Sequence, residues 1–305
     1  MYQPPNPSAS PVIQWYPGHM AKAKRDIAKD LQLVDLVIQV LDARIPFSSR
    51  NRDLAEMIQK KPQVFFLNKM DLAETDATRA WLGFFRTEKS FAAAGNSNRK
   101  QGIKELLGTL RQAAEPLMRS LEAKGRLRRP IRAMIIGIPN SGKSTLINAI
   151  ASQAAAKTEN RPGVTRGAQW VKTSFGFELL DTPGVLWPKF ASEETAFNLA
   201  VTGAISDLVF PRDYVASRLA AWLAQEHPHA LPERYKLESL PLEPQEIIEA
   251  IGQKRGLLAS GGLVRRDDAA LLLLQEFRNG KLGRFTLDRP PFPAERKSDQ
   301  LDFRF

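Results

Sequence analysis

A chain of 305 residues is about two domains long, and with 43% hydrophobic residues it can bury a core in each. The net charge of +11 points to a polyanionic partner, because cations that neutralise phosphates release counterions. Cysteine is absent, which excludes disulfides and thiolate metal sites. The longest apolar run, Ala269–Leu274, is far too short to cross a bilayer, and no secretory-type apolar segment follows Met1. The expectation is a soluble, cytoplasmic protein with no membrane partner.

Residues 1–12 carry Pro4, Pro5, Pro7, Ser8 and Pro11 and read as a disordered tail. Met20, Ala23, Ile27 and Leu31 then recur at helical spacing, with Lys22, Lys24, Arg25 and Lys29 between them. Apolar runs of strand length follow at Leu36–Leu41, Val64–Leu67, Phe91–Ala94, Ala133–Ile138, Gln169–Thr173 and Phe177–Leu180. Helical stretches fill the gaps at Asp53–Lys60, Thr75–Phe85, Ile103–Leu121 and Gly142–Ser152. This alternation predicts, over residues 13–189, an α/β domain with an open, mostly parallel sheet flanked by helices and ligands at the carboxyl ends of its strands. From about residue 190 to 305 the strand pattern fades, and helical stretches at Glu193–Ile205, Asp213–Ala224, Pro244–Gly252 and Asp267–Arg278 predict a small all-α domain.

Gly137-Ile138-Pro139-Asn140-Ser141-Gly142-Lys143-Ser144 fits G-x-x-x-x-G-K-[ST] between a strand and a helix, the context that a phosphate loop needs. Backbone N–H groups from Asn140 through Thr145 would face phosphate oxygens, with the helix dipole behind them. Lys143 would place its charge near the β- and γ-phosphates, and the Ser144 hydroxyl would bind Mg²⁺. Asp181-Thr182-Pro183-Gly184 ends a strand; Asp181 would hold the same Mg²⁺, and the Gly184 N–H would meet the γ-phosphate. Within the polar segment Lys157–Gly167, Thr165 is the candidate for a further Mg²⁺ ligand, with Thr158 and Thr173 as alternatives.

Asn68-Lys69-Met70-Asp71 follows another strand. A carboxylate only accepts hydrogen bonds, so Asp71 suits the N1–H and N2 amine of guanine and opposes the bare N1 of adenine. Asn68 would brace the loop and meet the N7/O6 edge, and the Lys69 stem would cover the base. The element that closes over O6 should lie at the end of Phe91–Ala94, using backbone N–H groups of Ala93 or Ala94. Together the motifs predict a site for GTP and GDP. Their order is inverted, because the base-reading motif precedes the phosphate loop. Val185 and Leu186 stand where many GTPases place a water-orienting glutamine, and neither can do that work.

Two further stretches carry a resemblance: Trp15-Tyr16-Pro17-Gly18-His19-Met20-Ala21-Lys22-Ala23, and Asp42-Ala43-Arg44-Ile45-Pro46 after the first strand. With the inverted motifs and the helical C-terminus, they make nearly the whole chain resemble the circularly permuted GTPases of the ribosome biogenesis GTPase A family. The resemblance implies a P-loop GTPase fold, late maturation of the large ribosomal subunit, a monomer, and contacts with rRNA and ribosomal proteins through the C-terminal domain. It implies a catalytic role for His19 beside those of Lys143 and Gly184, and K⁺ binding at Asn140. Basic residues at 119–132 and at Lys254, Arg255, Arg265, Arg266, Arg278, Lys281 and Arg284 suit that partner. Phe277 and Phe285 among them could stack on bases or fill a core. The alternative to a subunit-stimulated enzyme is an RNA-binding module gated by GTP with negligible turnover.

Overall fold

The computed structural model describes residues 20–86, 90–127, 129–153, 169–173, 175–186, 190 and 192–290. Six strands form one sheet: β1 (Leu36–Asp42), β2 (Gln63–Asn68), β3 (Ser90–Ala94), β4 (Ile131–Ile136), β5 (Gln169–Lys172) and β6 (Phe177–Asp181). Their spatial order is β3-β2-β1-β4-β6-β5, parallel throughout except for the antiparallel edge strand β5. The uninterrupted apolar run of β1 is explained by its position, since every residue from Leu36 to Asp42 is buried between neighbours and between faces. β5 at the edge is largely exposed.

Helices α1 (Met20–Asp30), α2 (Arg52–Ile58), α3 (Thr75–Phe85), α4 (Ile103–Ala123) and α5 (Lys143–Gln153) accompany the sheet. On one face Ile38, Val40, Val64 and Phe66 pack with Leu106 and Leu110 of α4 and Leu146 and Ile150 of α5. On the other, Leu41, Phe65 and Leu67 pack with Trp81 and Phe85 of α3, the rings of Phe65 and Phe85 stacking at 4.5 Å. Each such side chain stabilises the fold by about 1.5–3 kcal/mol through burial.

The chain forms two compact units. Among the described residues, one comprises 20–186 with 285–290, and the other 190–284. The second contains α6 (Glu193–Val201), α7 (Arg212–Glu226), α8 (Ala230–Tyr235), α9 (Pro244–Lys254) and α10 (Arg266–Arg278). Ser192 caps α6 by accepting a hydrogen bond from the Thr195 N–H. α10 lies against α6, α7 and α9, burying Leu273, Leu274 and Phe277. Within this core Glu276, 4% exposed, accepts hydrogen bonds from Arg234 on both oxygens; these bonds hold its carboxyl below the usual carboxylate range despite burial.

Three expectations are narrowed here. Among the described residues, 285–290 belong with the sheet unit, so the helical unit ends at Arg284. Phe277 and Phe285 are 2% and 5% exposed and fill cores, so neither offers a face to a base. The basic clusters are also partly partnered: Arg119 with Glu115, Arg129 with Asp35, Arg132 with Glu178, Arg265 with Asp268, Arg266 with Asp213 and Arg278 with Asp207. The tail at 1–12 lies outside the described residues.

Candidate nucleotide-binding site

β1 and β4 are parallel neighbours, and from them the chain runs in opposite directions across the sheet, to β2 and β3 and to β6 and β5. Such a reversal opens a crevice at the carboxyl ends of the strands. The motif loops after β2, β4 and β6 all start at that end, as does the loop after β1.

The phosphate loop leaves β4 with Asn140 exposed in the left-handed region at φ 57° and Gly142 at φ 94°. A Cβ at Gly142 would lie 2.2 Å from the Asn68 Nδ2, so only glycine fits both the dihedral and the space. Ser141 is 1% exposed and its hydroxyl donates to the Ile138 carbonyl at 2.9 Å. Ser144 and Thr145 open α5 with exposed and half-buried side chains. Lys143 is buried, its ammonium donating to the Gly137 and Ile138 carbonyls at 3.0 and 2.9 Å.

That burial pushes the Lys143 ammonium down to about 8, with the Asp181 charge pulling partly the other way. An unfolded lysine titrates near 10.4, so the cost of holding this charge in the fold is present below pH 8 and disappears as pH rises past the unfolded value. Polyphosphate favours the protonated form. At pH 8, where the phosphates are already ionised, nucleotide binding should therefore take up about half a proton, falling toward zero at pH 6. Calorimetry in buffers of different ionisation enthalpy measures this; no uptake at pH 8 would contradict the placement of Lys143 at the phosphates.

The base-reading loop is clamped to the phosphate loop. The Asn68 Nδ2 donates to the Ser141 carbonyl at 2.8 Å, while its Oδ1 accepts from the Ser97 N–H and hydroxyl at 3.0 and 2.9 Å. Lys69 adopts φ 59°, and its ammonium donates to the Asp42 carboxylate at 2.9 Å. Asp71 follows, half-buried, in a short 3₁₀ turn. Asp42 is fully buried, yet the charges and hydrogen bonds of Arg44 and Lys69 outweigh its desolvation and hold the carboxyl well below the usual range.

Two further residues hold this loop: Ser97, which lies in none of the motifs, and Asp42, to which its motif gave no role. Ser97 lies just past Ala93 and Ala94, which are buried at the end of β3; the N–H groups of Gly95, Asn96 and Ser97 donate to the Leu67 carbonyl, the Gln101 carbonyl and the Asn68 amide oxygen. Asp42 stands opposite Asn68 in the β1–β2 register, which is what brings it to Lys69. A carboxylate at the end of one strand and N-K at the end of the next was the available signal.

On the γ-phosphate side, a Cβ at Gly184 would lie 2.9 Å from the Lys143 Nζ and 2.9 Å from the Pro139 N. The Thr182 hydroxyl donates to the Ile135 carbonyl at 2.6 Å, the Val185 N–H to Gly137 at 3.3 Å, and the Asn51 amide to the Val185 carbonyl at 3.2 Å. Val185 and Leu186 are 4% and 2% exposed. The Ser144 hydroxyl lies 3.5 Å from the Asp181 carboxylate. One hydroxyl beside one carboxylate suits Mg²⁺, which takes few protein oxygens and completes its shell with water and phosphate. Among the described residues no cluster of three or more His, Cys, Asp or Glu forms a metal cage. His19 and Thr165 lie outside the described residues.

A family model described as "50S ribosome-binding GTPase" matches residues 132–224, a stretch that begins in the strand before the phosphate loop and leaves Asn68–Asp71 upstream. Ribosome biogenesis GTPase A of Priestia megaterium is 44% identical over 280 residues, covering 92% of this chain and 97% of the relative. Mitochondrial ribosome-associated GTPase 1 of Mus musculus is 33% identical over 305 residues, covering 93% and 92%. Among solved structures, GNP-bound YlqF from T. maritima superposes with a TM-score of 0.62 at 29% identity, covering 88% of this chain and 98% of that one.

Proposed function

This chain belongs to the circularly permuted GTPases of the ribosome biogenesis GTPase A family, and from that premise we propose that it acts in late maturation of the large ribosomal subunit. It is a GTPase of ribosome biogenesis; in the proposed cycle a cytoplasmic monomer binds rRNA and ribosomal proteins while it holds GTP and leaves after hydrolysis. The observation that carries the nucleotide reading is the bond from the Asn68 amide to the Ser141 carbonyl, which fuses the base-reading and phosphate loops into one pocket.

In that pocket Asp71 would read guanine, Lys143 and the N–H groups of Asn140–Thr145 would hold the phosphates, and Ser144, Asp181 and Thr165 would hold Mg²⁺. The metal, when bound with nucleotide, supplies charge neutralisation at the β- and γ-oxygens. Val185 and Leu186, which follow Gly184, are buried hydrocarbon, and neither can orient a water. His19 is proposed for that role and Asn140 for K⁺, which makes turnover slow until a partner completes the site.

Turnover of GTP with and without purified large subunits tests the reading. Stimulation of roughly 10-fold or more is expected, since one well-placed catalytic group contributes about 10²–10⁴-fold. The increase should be lost in His19→Ala and be larger in KCl than in NaCl. Unchanged turnover with GTP-dependent binding would instead support the gated RNA-binding module.

A further inference from the structure

Phe285, Thr286, Leu287 and Asp288 form a strap that the helical unit hands back to the sheet unit. All but Asp288 are buried. The strap touches both loops that build the base end of the pocket. The Phe285 N–H donates to the Leu72 carbonyl at 3.0 Å, and Thr286 Oγ1 accepts from the Glu74 N–H at 3.1 Å; Leu72 follows Asp71 directly and Glu74 stands at the start of the next helix. The Leu287 N–H donates to the Arg44 carbonyl at 2.8 Å. Arg44 holds Asp42, which in turn holds Lys69. Asp288 accepts from the Ser48 N–H and hydroxyl, both at 2.7 Å, and its carbonyl accepts from the Trp81 indole at 3.2 Å.

We propose that this strap is part of the guanine site, with Thr286 and Asp288 as positioning residues that fix the Asp71 loop and the Asp42–Lys69 pair. The proposal rests on the reading of Asp71 as the guanine acceptor. The physical reason is local. The turn over Met70–Leu72 is a single 3₁₀ turn whose own side chains do not cap α3; Glu74, at the cap position, makes no side-chain cap bond. Thr286 supplies an acceptor for the Glu74 N–H, in the place where a helix start leaves donors unmet. Removing these bonds loosens the base end of the pocket and leaves the phosphate loop intact.

Dissociation of methylanthraniloyl-GDP and of the corresponding non-hydrolysable GTP analogue from the full chain tests this. Thr286→Val and Asp288→Ala should each speed release by roughly 5- to 30-fold, the size of one or two hydrogen bonds, and by the same factor for both nucleotides. Thr286→Ser, which keeps the hydroxyl, should restore slow release. A chain ended at Arg284 should release faster still, and the point variants decide the matter if that truncation fails to fold. Unchanged release in both point variants overturns the proposal, and so does a loss confined to the GTP analogue. Asp71→Ala is run beside them. If it leaves guanine preference intact, the base reading itself fails; if it abolishes preference while the strap variants do nothing, only the strap proposal falls.

Discussion

Asp71→Asn should move the preference of this protein from guanine to xanthine nucleotides. The carboxylate of Asp71 offers two acceptors to the N1–H and N2 amine of guanine. An asparagine there keeps one acceptor but turns an amide N–H₂ toward the N2 amine, donor against donor. Xanthine carries a carbonyl at that carbon and accepts what guanine refuses. The loss of a charge-assisted pair, with a polar group left unpaired, should weaken GTP and GDP binding by roughly 10²- to 10⁴-fold. Both nucleotides should lose equally, because the contact is to the base alone. Xanthosine diphosphate should gain correspondingly in the same titration. Retained guanine preference would sink the assignment; a loss for guanine without a gain for xanthine would make Asp71 a loop-forming residue.

The elements that could be read from the sequence are those whose cause is local. β1, β2, β3, β4 and β6 each start within a few residues of an apolar run, because a strand buried on both faces needs such a run whatever its partners. Gly142 and Lys143 were readable because a phosphate loop is contiguous in sequence. Ser97, the strap and the role of Asp42 escaped for the opposite reason. Asp42 acts through a strand register, Ser97 through an amide on another strand end, and Thr286 through a helix start 212 positions away. None of those pairings leaves a periodic trace. α8 was missed because Pro228 and Pro232 bracket its start and read as a loop, although a proline within the first turn costs no intrahelical bond. The net charge of +11 was correct as a sum and misleading as a map, since several clustered arginines are held by carboxylates.

Gly184→Ala should separate the two ends of the pocket. The added methyl would meet the Pro139 N and Cα at 2.9 and 3.0 Å, backbone atoms that cannot swing aside as the Lys143 ammonium can. The D-T-P-G turn must then withdraw from the phosphate loop, carrying with it the N–H proposed to meet the γ-phosphate. GDP needs no such approach, and its affinity should change by less than about threefold, the few tenths of a kcal/mol of a surface change. Turnover of GTP should fall by roughly 10²- to 10³-fold, as when one preorganised donor is lost from a developing charge. The displacement does not end at the turn. The Val185 N–H bond to Gly137 and the Asn51 bond to the Val185 carbonyl tie the next residues to the sheet, and the chain then proceeds to the helical unit. A variant loaded with GTP should accordingly bind large subunits as the GDP form does. Equal weakening of GDP and GTP would place the damage in the phosphate loop itself and remove Gly184 from the switching role. Normal turnover would show that the turn tolerates withdrawal and that some other donor meets the γ-phosphate.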